Sequence, residues 1–187
     1  VSVDEFLVNG TSMLVLERGS NAGQLAFTWK VSGGKVASIE LDGVTVPADS
    51  TSYVLNASNV STDRTWRLKV TGNDGSVSTA SVSVTFAVSI RWGAAEEPKS
   101  VGSSFVTSLP GSRLAKDRMI TVPLDAEDDE YAWIAVPSEL GEPTFWFNGF
   151  CGGFVREASV AVGSGAVQTN VYRSMNPGLG RIDVEIR

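Results

Sequence analysis

The chain reads as an all-β protein, two β-sandwich-like domains in tandem with the first immunoglobulin-like, and three observations predict it. Apolar and polar residues alternate with a period of two, as where Leu25, Phe27, Trp29 and Val31 interleave with Ala26, Thr28 and Lys30. That is the pattern of a strand with one buried face. Turn-forming residues break the chain every ten or so residues, which is the spacing of short strands in a sandwich. Among 187 residues only 19% are charged, with Gly at 19 and abundant Ser, Thr and Val, a composition suited to strands and turns.

In chain order, residues 1–10 read as a lead-in segment and Ser12 to Glu17 as a first strand. After Leu25 to Val31, Ser32-Gly33-Gly34 turns the chain into a strand from Val36 to Leu41. Asp42-Gly43 is a hairpin signal, because a type I′ turn needs positive φ at both central residues. Val44 and Val46 follow, stopped by Pro47; Tyr53 to Asn56 makes a short strand. Trp66, Leu68 and Val70 alternate with Arg67 and Lys69, and Asn73-Asp74-Gly75 is the next turn. Ala80, Val82, Val84, Phe86 and Val88 share one face of the strand after it. Without a cysteine pair to bridge two sheets, Trp29 and Trp66 are expected to fill the core.

The expected boundary falls near Ser89 to Gly93, giving domains 1–89 and 90–187 with a strand running through a stiff joint where Trp92 packs. Phe105 to Leu109 fits a strand or one helical turn, and Arg118 to Val122 a strand ended by Pro123. Tyr131 to Val136 is apolar on both faces, as a central strand is. Val155 to Val162 and Val167 to Arg173 form a hairpin around Gly163-Ser164-Gly165. Ile182, Val184 and Ile186 alternate to the end. The start at Val1 rather than Met suggests a piece of a longer protein or a processed product.

Bulk chemistry narrows the function. The net charge of −6 argues against nucleic acid, whose phosphates need concentrated Lys and Arg. No apolar run is long enough to span a bilayer, so membrane insertion is not expected. The chain contains no histidine and one cysteine, Cys151. The commonest general base and the thiolate zinc cluster are thereby absent. No catalytic residue, metal site or cofactor is assigned.

Several constellations invite a function and are weighed against a structural role. The acidic loop Asp125, Glu127, Asp128, Asp129, Glu130 offers oxygens that suit calcium. It lacks the EF-hand spacing, so a solvated loop, paired to Arg113, Lys116 or Arg118, is the preferred reading. Three Asn-x-Ser/Thr sequons, at Asn9, Asn56 and Asn59, carry little weight in so Ser/Thr-rich a chain. Cys151 is expected to be a small buried hydrophobe rather than a nucleophile.

Phe145 to Phe154 packs five aromatics and three glycines into ten residues. It reads as a strand entering a glycine-built bend, with Phe145, Phe147, Phe150 and Phe154 structural. Trp146 falls on the opposite face, beside Asn148. Those two are the candidate contact residues, for a neighbouring domain or subunit in the preferred reading and for a sugar in the other.

The second half also carries the motifs Arg91-Trp92-Gly93-Ala94, Gly111-Ser112-Arg113, Tyr131-Ala132-Trp133-Ile134-Ala135-Val136-Pro137 and Gly141-x-Pro143-Thr144-Phe145. Gly149-Phe150-x-Gly152-Gly153-Phe154 and Tyr172-Arg173-Ser174-x-Asn176-Pro177-Gly178-Leu179-Gly180 complete the set. Together with the preceding sandwich, they resemble a structural domain of tailed-phage and prophage virions, found in tail fibre and baseplate proteins. Trp92 stands where that pattern has Tyr. The resemblance implies a non-enzymatic component of the phage tail with a contribution to host-receptor binding, assembled as a homo-oligomer with other virion subunits and located in the virion. The alternative is a carbohydrate-binding or adhesin module of a bacterial surface protein. A hydrolase using two carboxylates between Asp125 and Glu142 ranks third.

Overall fold

The computed structural model describes residues 1–187. The protein is all-β and β-sandwich-like, with antiparallel strands and only one short helix and one 3₁₀ turn. The chain forms two compact units, one from residues 1–16 and 20–86, the other from 17–19 and 87–187. No helix is long and apolar enough to cross a membrane.

The first unit is built from β1 (Ser2–Val8), β2 (Met13–Glu17), β3 (Gln24–Ser32), β4 (Val36–Leu41), β5 (Val44–Val46), β6 (Ser52–Asn56), β7 (Arg64–Gly72) and the start of β8 (Val77–Ala95). One sheet has the order β1-β3-β6; in the other, β8 pairs with β7, β7 with β4 and β4 with β5, and β2 pairs with β8. Inward residues of the two sheets meet in one core, where Leu25, Phe27 and Trp29 of β3 face Ile39, Trp66, Leu68 and Val84. Each fully buried large side chain there stabilises the fold by about 1.5–3 kcal/mol. Trp29 and Trp66 are both buried, as their positions in the alternation predict. Phe27 links them to the rest of the aromatic cluster, its ring 5.6 Å from Trp66 and 6.0 Å from Phe6.

Phe6 belongs to a strand that the sequence hides. Residues 1–10 are no lead-in: β1 pairs along β3, with Phe6 opposite Trp29 and Val8 opposite Phe27. The Asp42-Gly43 turn forms as expected, with φ of 50° and 85° closing β4 onto β5.

In the second unit, the end of β8 is followed by α1 (Ser103–Ser108), β9 (Gly111–Ala115), β10 (Ile120–Ala126), β11 (Tyr131–Pro137), a 3₁₀ turn (Ser138–Leu140), β12 (Phe145–Phe147), β13 (Phe150–Cys151), β14 (Phe154–Val162), β15 (Val167–Ser174) and β16 (Gly180–Ile186). Phe105 thus lies on a helical turn. One sheet has the order β14-β15-β11-β8, with β9 also on β8, and the other β10-β16-β12-β13. β11 is central and buried almost throughout, which explains its unbroken apolar run. β10 continues through Pro123, which sits opposite Asp183. A proline without an N–H is tolerated because β10 is the edge of its sheet.

Trp92 packs against the core of this unit, over Gly111. A Cβ on Gly111 would lie 2.2 Å from Trp92 Nε1, so the glycine of the Gly-Ser-Arg segment is demanded by the indole opposite.

Candidate functional site

The hairpin β12–β13 holds both candidate contact residues. Asn148 and Gly149 have φ of 50° and 80° and form a two-residue turn closing Phe147 onto Phe150. An Asn-Gly pair suits this type I′ geometry because both positions are left-handed. β12 also pairs with β16, placing Trp146 opposite Glu185 and opposite Cys151 on its other flank.

Strand alternation then divides the aromatics. Phe145 points into the core, its ring 4.8 Å from Phe154 and 5.0 Å from Tyr172. Phe147 is half-buried against Phe154. Trp146 lies on the opposite face, half-buried, and its Nε1 donates to Thr144 Oγ1 at 3.3 Å. The Arg187 guanidinium covers its ring at 4.9 Å, and Arg187 Nε donates to Glu185 Oε2 at 3.0 Å. Asn148 is exposed at the tip.

Two expectations fail here. Phe150 is 74% exposed rather than structural, and Cys151 is exposed rather than buried. The reason is the same for both. β13 is a two-residue edge strand, so no further strand flanks these side chains on their outer side. The hairpin therefore presents Asn148, Phe150 and Cys151 to solvent on a scaffold fixed by the core.

The two most specific motifs of the second half converge beside it. Phe154 is opposite Ser174 in the β14–β15 ladder, and the Met175 N–H donates to Gly153 O at 2.9 Å. Ser174 is fully buried; its hydroxyl accepts from Ala132 N–H at 3.0 Å and donates to Asn176 O at 2.8 Å. Arg173 pairs with Glu97 at 2.8 Å and Glu157 at 2.9 Å, and lies 4.4 Å over the Tyr131 ring. These residues act on the fold, holding β11, β14 and β15 together.

The acidic loop is organised by backbone bonds. Glu130 N–H donates to Glu127 O, the Glu130 carboxylate accepts from Glu127 N–H, and Glu130 O accepts from Gly178 N–H. No group of three or more carboxylates converges as a metal site would. Arg118, expected to pair with this loop, instead donates to Leu140 O at 2.7 Å.

A polar cluster that sequence reasoning missed surrounds Glu142. Its carboxylate accepts from Tyr172 Oη at 2.8 Å, Arg156 at 3.0 Å and Asn170 Nδ2 at 3.4 Å. The Tyr172 phenol is pushed up to about 12, first by burial and then by the hydrogen bond to Glu142. It stays protonated at neutral pH and serves as a donor. The residues come from a loop and two strands, so no spacing in the sequence announces them. Neither protein-family profiles nor curated proteins yield a match to the chain.

Proposed function

We propose that this chain is a non-enzymatic structural component of a phage tail, in a fibre, baseplate or adhesion device, working in the virion as a homo-oligomer among other tail subunits. The observation that carries the reading is Phe150, a large aromatic left 74% exposed on a core-anchored hairpin. Aromatics of this kind, on rigid elements, are what subunit and receptor contacts are built from. Asn148, exposed at the adjoining turn, extends the contact surface, while Trp146 and its partner Cys151 occupy the other face of the hairpin. The virion-type motifs support the reading by their role, since Ser174, Arg173 and Gly153 tie strands together and leave the hairpin for contact. The first unit's order, β1-β3-β6 against β5-β4-β7-β8, supports an immunoglobulin-like module.

The test is sedimentation equilibrium over a wide concentration range. The wild-type chain is expected to self-associate and Phe150→Asp to remain monomeric with an unchanged circular dichroism spectrum. A wild-type chain that stays monomeric throughout counts against the proposal.

One observation favours a second reading, a carbohydrate-binding or adhesin module of a bacterial surface protein. Trp146 sets a half-buried indole beside an exposed amide, Asn148, and displacement of the Arg187 guanidinium that covers its ring would free it to stack on a sugar. Glycan-array binding abolished by Trp146→Ala would favour it.

A further inference from the structure

Asn is followed by Gly at two places in the chain, Asn9-Gly10 and Asn148-Gly149. Asparagine is a thermolabile residue. A following glycine makes it more so, because without a Cβ nothing screens the glycine nitrogen from the carboxamide before it. Both asparagines are exposed and left-handed, with φ of 47° and 50°. Sequence and local backbone therefore treat the two alike. Their surroundings do not.

Asn9 is held through both its backbone and its side chain. Its N–H donates to Ala26 O at 2.8 Å, and its Oδ1 accepts from Ala26 N–H at 2.8 Å. Val8 and Thr11 bridge across the same turn. Asn148 differs on each count. No protein group bonds its carboxamide, which stands exposed at the turn. The hairpin below it closes with two pairs, Trp146 with Cys151 and Phe147 with Phe150, and β13 is a two-residue strand at a sheet edge. So short an edge hairpin opens locally more often than the sheet that carries it.

We propose that the fold selects Asn148, and not Asn9, for a spontaneous modification: deamidation through attack by the Gly149 backbone nitrogen, with water as the co-reactant. The nitrogen bonds to Asn148 Cγ and gives up its proton. The side-chain amide nitrogen takes a proton and leaves as ammonia, and a cyclic imide remains. Water then opens the imide at either carbonyl. One opening leaves aspartate; the other leaves isoaspartate, in which the main chain runs through the former side chain. Nothing is oxidised or reduced, and no enzyme is required. Either product places a carboxylate at the turn, and isoaspartate also adds a methylene to a two-residue turn of fixed type. That charge falls beside Phe150 and opposes the contact proposed above. This consequence rests on that reading, whereas the reaction itself does not.

The experiment incubates the folded whole chain in mildly alkaline buffer made with heavy-oxygen water. Peptides are then mapped by mass spectrometry after digestion at acidic pH in ordinary water. Heavy oxygen marks the residue that water attacked during the incubation. Label is expected in the Asn148 peptide, as an aspartate and isoaspartate pair, about tenfold faster than in the Asn9 peptide, the factor that one hydrogen bond supplies. The same incubation in urea is expected to bring the two rates together, since unfolding frees both carboxamides. A folded chain that keeps Asn148 as the amide while the unfolded chain loses it overturns the proposal. Equal labelling of Asn9 and Asn148 in the folded chain overturns it as well, as does a gap between them that persists in urea.

Discussion

The guanidinium of Arg187 lies 4.9 Å over the ring of Trp146, and the two meet because β16 runs beside β12 with Glu185 opposite Trp146. Arg187 is two residues beyond Glu185 and therefore returns to the same face. Replacing Arg187 by Ala should uncover the indole. Acrylamide quenching of Trp146 fluorescence, read as the difference between this variant and its Trp146→Phe double mutant, is expected to rise. The stability loss should be small, about 0.5–1 kcal/mol, because the stacking is partly exposed. Unchanged quenching would mean that Arg187 does not cover Trp146 in solution.

The bend after β13 depends on two adjacent glycines for different reasons. Gly152 has φ of 120° with open space where a Cβ would stand, whereas a Cβ on Gly153 would lie 2.8 Å from Phe147 Cζ at φ of 77°. Gly152→Val therefore carries a purely conformational cost, about 1–3 kcal/mol for a β-branched residue held at positive φ. Gly153→Ala adds a collision with Phe147 to its own strain and should lower the melting temperature too. Thermal melts check both, and a Gly152→Val chain that melts like the wild type would falsify the strained bend.

Strand faces were legible wherever alternation is unbroken, as in Leu25-Phe27-Trp29 and Ile182-Val184-Ile186, because burial on one side of a sheet writes a period of two into the chain. Turns were legible where positive φ selects residue type, as at Asp42-Gly43 and Asn73-Asp74-Gly75. β1 was not, and its ladder shows why: a register shift between Val3 and Glu5 breaks the alternation and places Asp4 and Glu5 in mid-strand. Position within a sheet was equally hidden. The strand through Pro123 and the exposure of Phe150 and Cys151 all follow from β10 and β13 being edges, a property of the assembled sheet. The same holds for the site. Trp146 and Asn148 could be picked from local sequence, but Arg187 and the partners of Glu142 come from elements distant along the chain.

Ser174 offers a direct test of what the Tyr-Arg-Ser-x-Asn-Pro-Gly motif does. Its buried hydroxyl serves the Ala132 N–H and the Asn176 carbonyl at once. Ser174→Ala leaves both backbone groups short of that partner, at about 1–3 kcal/mol. Urea unfolding is expected to show a lower midpoint with an unchanged slope, since the surface exposed on unfolding stays the same. An unchanged midpoint would remove the structural role assigned to this serine.

Tyr172 makes a prediction in pH. Its phenol is pushed from the ordinary 10.0 up to about 12, chiefly by burial and next by donating to Glu142. The folded chain thus holds this proton more tightly than the unfolded chain does. The stabilisation it brings is whole below pH 10.0 and is lost as pH rises through 12, because the unfolded state releases the proton first. Tyr172→Phe keeps the ring, which packs 5.0 Å from Phe145, and removes the titration. The difference in unfolding free energy between wild type and variant should therefore be flat from roughly pH 8 to 10 and then move against the wild type as pH climbs further. Subtracting the variant cancels the other alkaline titrations of the chain, leaving the phenol alone. Two curves that stay parallel well above pH 10.0 would show that Tyr172 titrates alike in both states, and that its bond to Glu142 is not held in solution.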